Sequence, residues 1–376
     1  MSDASVGVDA EKEDAQQRAA SIPSLQHRSL LFKVLFILLV LCLIPVIIVP
    51  AVILTRRNAP QNSGRKLFSQ AKTHQERAGA VKDAFLYAWG GYMQHAFPHD
   101  QLLPLTNSFS DPRDGWGSTA VDSLSTAIIM GHSGPVATML RHISSIDFTH
   151  SNGPISVFET NIRYLGGMLS AYDLLEGPFS GLPHNPALRE NLLSQAKKLA
   201  DVLSIAFNTP TGIPENTIIF NGATPVLNGS TRANIAEIGT LVLEWTRLSN
   251  LLGDQKYAGF ATRAQQYLLQ PKPPQSEIFP GLIGSFLSIA DGSSVDQTGG
   301  WGGGSDSFYE YLIKAYVYSP SSYASYKDRW VLAADSSMMY LASHPNTRTD
   351  LTFLSGFDGT KGIPESGHCE SLSCDY

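Results

Sequence analysis

Cysteine is nearly missing from this sequence, with three in 376 residues. Cys42 lies in an apolar run, and Cys369 and Cys374 sit together at the C-terminal end. No CxxC or Cys/His spacing therefore points to zinc, and a bridge between the last two cysteines would tie down only a tail. Basic charge is not in excess either. Lys and Arg number 27 against 33 Asp and Glu, a formal net charge of −6. Nucleic-acid binding needs clustered Lys and Arg, which this balance does not supply. Alternating apolar and polar runs are almost absent beyond short pieces such as Thr217–Phe220, which points away from an all-strand fold. HExxH, GxSxG and P-loop motifs are lacking as well.

Long apolar runs are rare too, and the single one is informative. Val34–Leu54 reads VLFILLVLCLIPVIIVPAVIL without a charge, and about 20 such residues span a bilayer core as a helix. Pro45 and Pro50 are tolerable there. A cleaved signal peptide would be shorter, begin nearer Met1 and end at a small-residue site. The run is therefore read as an uncleaved single-pass anchor over 30–54. Arg18, Arg28 and Lys33 precede it, and Arg56, Arg57, Arg65, Lys66 and Lys72 follow it. The positive-inside bias alone would place the C-terminal side in the cytosol, but that bias weakens when a long domain follows the span.

Composition divides the rest. Residues 1–29 are polar and mixed in charge and read as a cytosolic tail. Residues 55–76, with Pro60, Asn62 and Gly64, read as a stem, and a domain begins near Arg77. From there, apolar residues recur at three- and four-residue spacing through Ala80–Tyr92, Ala120–Met130, Phe158–Leu175, Ala187–Phe207, Ala233–Leu252, Tyr257–Leu269, Phe308–Tyr318 and Trp330–Leu341. Gly/Pro loops such as Asp111–Gly117, Thr209–Pro225 and Gly299–Gly304 separate them. Many helices joined by unequal loops in one large domain fit an all-α toroid better than a simple bundle.

Three stretches carry candidate chemistry. In ISVFETNIRYLGGMLSAY (Ile155–Tyr172), Glu159 and Arg163 stand at i,i+4 on one helix face. Exposed, such a pair is worth about 0.3–0.5 kcal/mol. Here Val157, Phe158, Ile162 and Leu165 flank it, so the arginine fixes a partly buried carboxylate. Gly166 and Gly167 cost about 1 kcal/mol each relative to Ala inside a helix, which implies a close backbone or ligand approach. In GGWGGGSDSFYEY (Gly299–Tyr311), no strand precedes the glycines, which excludes a dinucleotide fingerprint. Ser307 and Glu310 spell a capping box for a helix starting at Phe308. Asp306 is either a helix-start residue favoured by the dipole or a carboxylate presented beside Trp301, Phe308 and Tyr309 as in a sugar site. In GWGSTAVDSLSTAIIMG (Gly115–Gly131), Asp122 lies in an apolar helix and must be capped or paired.

Taken in this order, the three stretches resemble glycoside hydrolase family 47, the class I α-1,2-mannosidases and their relatives in glycoprotein quality control. The likeness runs from about Val81 to His368. It implies an (α/α)7 barrel, a calcium ion at the barrel's end, and inverting removal of α-1,2-linked mannose from high-mannose N-glycans. By that resemblance Glu159 is the proton donor through a water, Asp306 a catalytic carboxylate, and Arg163 and His368 substrate-binding residues; Trp301 joins the substrate-binding set as the aromatic beside Asp306. Inversion suits two carboxylates roughly 6.5–9.5 Å apart with the attacking water between them. The resemblance further implies a monomer in the endoplasmic reticulum or Golgi membrane, type II, with the domain lumenal.

Two departures stand out. Gly304 occupies the position, two before Asp306, where members with narrow trimming carry arginine, as in fungal and Golgi-like members. After His368 the family continues at length, whereas residues 369–376 diverge. The arginine-proline-glutamate segment and the calcium-binding threonine are not found, so no metal ligand is assigned here. The ending resembles that of a mis-spliced or frame-shifted product, with the barrel incomplete and activity expected to be lost. Three readings stay open at this point: a mannosidase, a glycan-binding relative without turnover, and an inert truncated membrane protein.

Overall fold

The computed structural model describes residues 73–151, 153–182, 185–360 and 363–364. The cytosolic tail, the anchor, nearly all of the stem, His368 and the segment 369–376 lie outside the described residues. No helix among the described residues is long and apolar enough to cross a membrane. The chain divides into two units, Met1–Asp83 and Ala84–Tyr376. The second carries the site.

The architecture is mainly helical. The helices are α1 His74–His95, α2 Ser118–Asp122, α3 Leu124–Met130, α4 Ser133–Ser145, α5 Val157–Thr160, α6 Gly166–Glu176, α7 Pro186–Leu203, α8 Ile235–Gly239, α9 Val242–Leu252, α10 Lys256–Leu269, α11 Asp306–Tyr318 and α12 Ala324–Ser336. The predicted apolar stripes fall on helix, except that Ala233–Leu252 opens with Ala233–Asn234 in a short strand before the helix at Ile235. The structure adds α4, whose Val136, Met139, Leu140 and Ile143 are buried at helical spacing. Local chemistry explains several starts. Asn185 accepts from the Ala187 N–H at 3.0 Å, with Pro186 in the first turn of α7. Asn234 and Glu237 form a reciprocal capping box on α8.

One expected cap is corrected. The last long stripe before α12 starts at Asp306, not Phe308, and Ser307 makes no cap hydrogen bond. The Ser307 hydroxyl instead accepts from Thr240, and Glu310 pairs with Lys314. A partner across the fold and one a helical turn on outcompete the capping motif.

Strands are short and antiparallel. The first two, β1 Gln101–Leu103 and β2 Ser108–Ser110, pair with each other, and the next three matter for the site: β3 Ile155–Ser156 pairs with β4 Thr217–Asn221, which pairs with β5 Thr224–Leu227. In register, Ile155 faces Ile218 and Ile218 faces Leu227. Trp245, Tyr164, Tyr257, Tyr309, Phe148 and Phe308 fill the core among the largest fully buried side chains. Each such aromatic or aliphatic side chain contributes roughly 1.5–3 kcal/mol when buried.

Of the paired helix glycines, Gly167 makes the expected close approach, whereas a Cβ on Gly166 would meet only ordinary contacts at 3.5–3.6 Å. A Cβ on Gly167 would lie 3.0 Å from the Val121 carbonyl oxygen, so its absence lets α6 rest directly on the backbone of α2. The 115–118 loop is tighter still. Gly117 has φ +74°, and a Cβ there would sit 2.8 Å from the Pro98 carbonyl oxygen and against the His142 ring. Gly131, at φ +79°, has nothing within 4 Å. Gly131→Ala should therefore cost about 1–2 kcal/mol from the left-handed backbone alone. Gly117→Ala should lose roughly a further 1–3 kcal/mol through overpacking. Urea unfolding of the two variants reads the difference, and equal losses would contradict this packing.

Candidate active site

Glu159 is placed by its own turn. The Ser156 hydroxyl accepts from the Glu159 N–H at 3.3 Å, and Asn216 Oδ1 accepts from the Phe158 N–H at 2.8 Å. The carboxylate then takes two arginines on one oxygen. Arg163 Nε donates to Glu159 Oε2 at 2.7 Å, and Arg113 Nη2 lies 3.1 Å from the same atom. Arg163 Nη1 donates to Asp122 Oδ2 at 2.9 Å. The predicted i,i+4 pair is thus one edge of a four-membered network, and Asp122 is the paired residue expected of a charge in an apolar helix. A π-turn, Asn161–Leu165, follows α5 at once. Such turns are frequent at functional sites because they re-aim the helix face.

Arg113 is held from behind by a buried carboxylate. Asp100 is 0% exposed. It accepts from the backbone N–H groups of Arg113 at 2.7 Å, Gly115 at 3.0 Å, Gly117 at 2.8 Å and Ser118 at 3.0 Å. Four amide donors stabilise a buried anion that has no cation partner among the described residues. The Tyr164 hydroxyl lies 3.1 Å from Asp100 Oδ1 and 3.0 Å from the Arg113 carbonyl oxygen. Burial and the Asp100 charge push its phenol up, so it stays protonated.

Asp306 opens α11 from the glycine loop. Its N–H donates to the Gly302 carbonyl at 3.0 Å, and its Oδ1 accepts from the Ser307 N–H at 2.8 Å. The helix-start reading holds, since Asp306 is the first-turn acid of α11, and its carboxylate is part-exposed. Trp301 is less free than a stacking platform would be. Its indole N–H donates to Ser337 Oγ at 2.7 Å, and its ring lies against Tyr309 with centroids 4.6 Å apart.

One segment joins the two carboxylate elements, and the sequence reading passed over it. From α8, Glu237 Oε1 accepts from Asn216 Nδ2 at 2.7 Å, and Asn216 in turn caps Phe158. Thr240 then donates to Ser307 Oγ at 2.7 Å, beside Asp306. Its carbonyl accepts from Asn161 Nδ2 at 2.9 Å. From α9, Glu244 accepts from Asn161 at 3.2 Å and from the Tyr311 hydroxyl at 2.8 Å. Burial raises the pKa of both glutamates, Glu244 to about 7. The Asn234-x-x-Glu237 spacing is a capping-box signal that could have found this segment, though not the contact from Glu237 to Asn216. Arg113 gave no periodic signal, since it lies in a loop. Among the described residues no group of three or more His, Cys, Asp or Glu could hold a metal ion.

Glycosyl hydrolase family 47 matches residues 84–376 of the chain. A mannosyl-oligosaccharide α-1,2-mannosidase of Penicillium citrinum is 54% identical over 308 residues, covering 82% of this chain and 59% of that relative. Mannosyl-oligosaccharide α-1,2-mannosidase 1B of Aspergillus oryzae is 51% identical over 305 residues, covering 81% and 59%. The solved α-1,2-mannosidase from Trichoderma reesei superposes with a TM-score of 0.74 at 55% identity, over 75% of this chain and 59% of that one. The chain thus spans 59% of the length of these relatives.

The Glu244 geometry sets a pH dependence. Its folded-state pKa stands above the ordinary 4.5, raised by burial to about 7, so its contribution is complete below pH 4.5 and is lost as the pH rises through about 7. The loss should reach up to about 3 kcal/mol. Unfolding free energy followed over that window should fall in the native chain and stay flatter in Glu244→Gln. Parallel curves for the two would count against the buried position of this carboxyl.

Proposed function

We propose that this chain, which belongs to glycosyl hydrolase family 47, carries the carboxylates with which α-1,2-linked mannose of N-glycans on glycoproteins is hydrolysed with inversion at the anomeric carbon. The observation that carries this reading is the frame through Asn216, Glu237, Thr240 and Ser307, which ties the turn bearing Glu159 to the helix start bearing Asp306. Glu159, held by Arg113 and Arg163, supplies the proton to the departing glycosidic oxygen through a water. Asp306 takes the role of a carboxylate partner on the frame's other arm. As the bond from the anomeric carbon to that oxygen breaks, water adds from the opposite face, which inverts the centre. Arg163 fixes the donor and faces the sugar, with Trp301 and His368 as further contacts to it.

The helices belong, on this reading, to an (α/α)7 barrel that acts as a monomer. The run 30–54 anchors the chain in the endoplasmic reticulum or Golgi membrane as a single-pass type II protein, with the domain lumenal. Calcium enters only as the ion that the resemblance implies. Among the described residues no group of three or more His, Cys, Asp or Glu stands ready for it.

The test is release of free mannose from an α-1,2-mannose disaccharide and from a high-mannose N-glycan. A general acid or base contributes on the order of 10²–10⁴ in rate. Glu159→Gln and Asp306→Asn should each remove at least that factor while leaving the unfolding midpoint nearly unchanged, because both replacements keep the side-chain shape. Binding of the disaccharide without any mannose release by the native chain would favour a glycan-binding relative instead. Turnover unaffected by either substitution would overturn the assignment of the two residues.

A further inference from the structure

Asn228-Gly229-Ser230 is the only Asn-x-Ser/Thr triplet in the chain, and the mannosidase reading leaves it unused. The triplet has the acceptor pattern for N-glycosylation, whose physical requirement is a surface loop in a lumenal domain. The fold meets the surface requirement. Asn228 is exposed and directly follows β5. The turn beneath it is held without its help. Glu215, itself 5% exposed, accepts from the Gly229 N–H at 2.8 Å and from the Ser230 N–H at 2.9 Å. Gly229 adopts φ +83°, which turns the chain away after the strand. No atom lies within 4 Å of where a Gly229 Cβ would stand, so the space around the turn is open. A rigid backbone, an outward amide and open surroundings are what a permanently attached bulky group needs.

We infer that Asn228 is an N-glycosylation site, carrying one oligosaccharide at the end of the β3–β4–β5 sheet. The donor is a polyprenyl-diphosphate-linked oligosaccharide. The Asn228 amide nitrogen attacks its anomeric carbon, the carbon–nitrogen bond forms, and the bond from that carbon to the diphosphate oxygen breaks. The lipid diphosphate leaves with the electron pair, and the amide proton passes to a base of the transferring enzyme. The glycan projects from the strand next to the one that pairs with β3, the strand opening onto Glu159. It takes no part in the hydrogen bonds that hold Glu159, Asp306 or their frame. Its loss should leave the site geometry intact.

This inference rests on the lumenal placement proposed above, not on turnover, so the experiment separates the two. The full-length chain is expressed in a fungal host, and the membrane fraction is treated with peptide-N-glycosidase. The expected result is a single downward mobility shift that Asn228→Gln and Ser230→Ala each abolish. The released peptide should contain aspartate at 228 labelled from heavy-oxygen water, which separates enzymatic release from spontaneous deamidation of the Asn-Gly pair. A reporter variant, Asp147→Asn, creates a second acceptor triplet with Thr149, where both residues are exposed. If the native chain shows no shift while Asp147→Asn in the Asn228→Gln background gains one, the domain is lumenal and Asn228 is not an acceptor. If neither shifts, the proposal and the lumenal placement fall together, while mannose release still reads the catalytic assignment on its own.

Discussion

The buried carboxylate of Asp100 is the constraint on which the site depends. An anion with 0% exposure and no cation partner among the described residues persists only where dipoles replace water. Here four backbone N–H groups from Arg113 to Ser118 converge on it. That convergence shapes the loop, and the shape fixes where the Arg113 side chain starts. Because Arg113 then meets Glu159, a charge far from the surface dictates the surroundings of one nearer to it. Tyr164 closes the circuit, since it follows Arg163 in the π-turn and reaches both Asp100 and the Arg113 carbonyl.

The second constraint is the bridge made by α8 and α9. Asn216, Asn161, Thr240 and Glu244 connect three separate stretches without a salt bridge between the carboxylate elements. Neutral donors suit that task better than charges. An ion pair at such a depth has to recover its desolvation cost, whereas an amide or hydroxyl loses less and still fixes direction. Gly239 supports the same arrangement by lacking a side chain. A Cβ there would stand 2.8 Å from Phe308 Cβ, so α8 and α11 approach closely at the point where Thr240 and Ser307 meet.

Much of this was legible in the residues, for reasons that can be stated. The Glu159–Arg163 pair was visible because helical spacing alone brings i and i+4 together. Its extension to Asp122 was not, because 41 residues separate Arg163 from that partner. Gly166-Gly167 announced a close approach, and the neighbour turned out to be the Val121 backbone. The helix α4 was hidden by Gly134-Pro135 at its start, although Val136, Met139, Leu140 and Ile143 form a plain stripe. Short strands such as β3 give no alternation to read, since two residues carry no period. The Ser307/Glu310 capping box was a true local pattern, overridden by Thr240 across the fold and by Lys314 one helical turn on. His368 and the anchor lie outside the described residues.

The central claim is that Asp100 holds the Glu159 turn through the Arg113 loop. Hydrogen exchange followed by mass spectrometry tests it in native chain and in Asp100→Asn, which keeps shape but not charge. Faster exchange is predicted both in peptides covering 113–118 and in those covering 157–165, with α7 unchanged as the internal reference. Deprotection confined to 113–118, with the 157–165 turn as protected as in the native chain, would contradict the account.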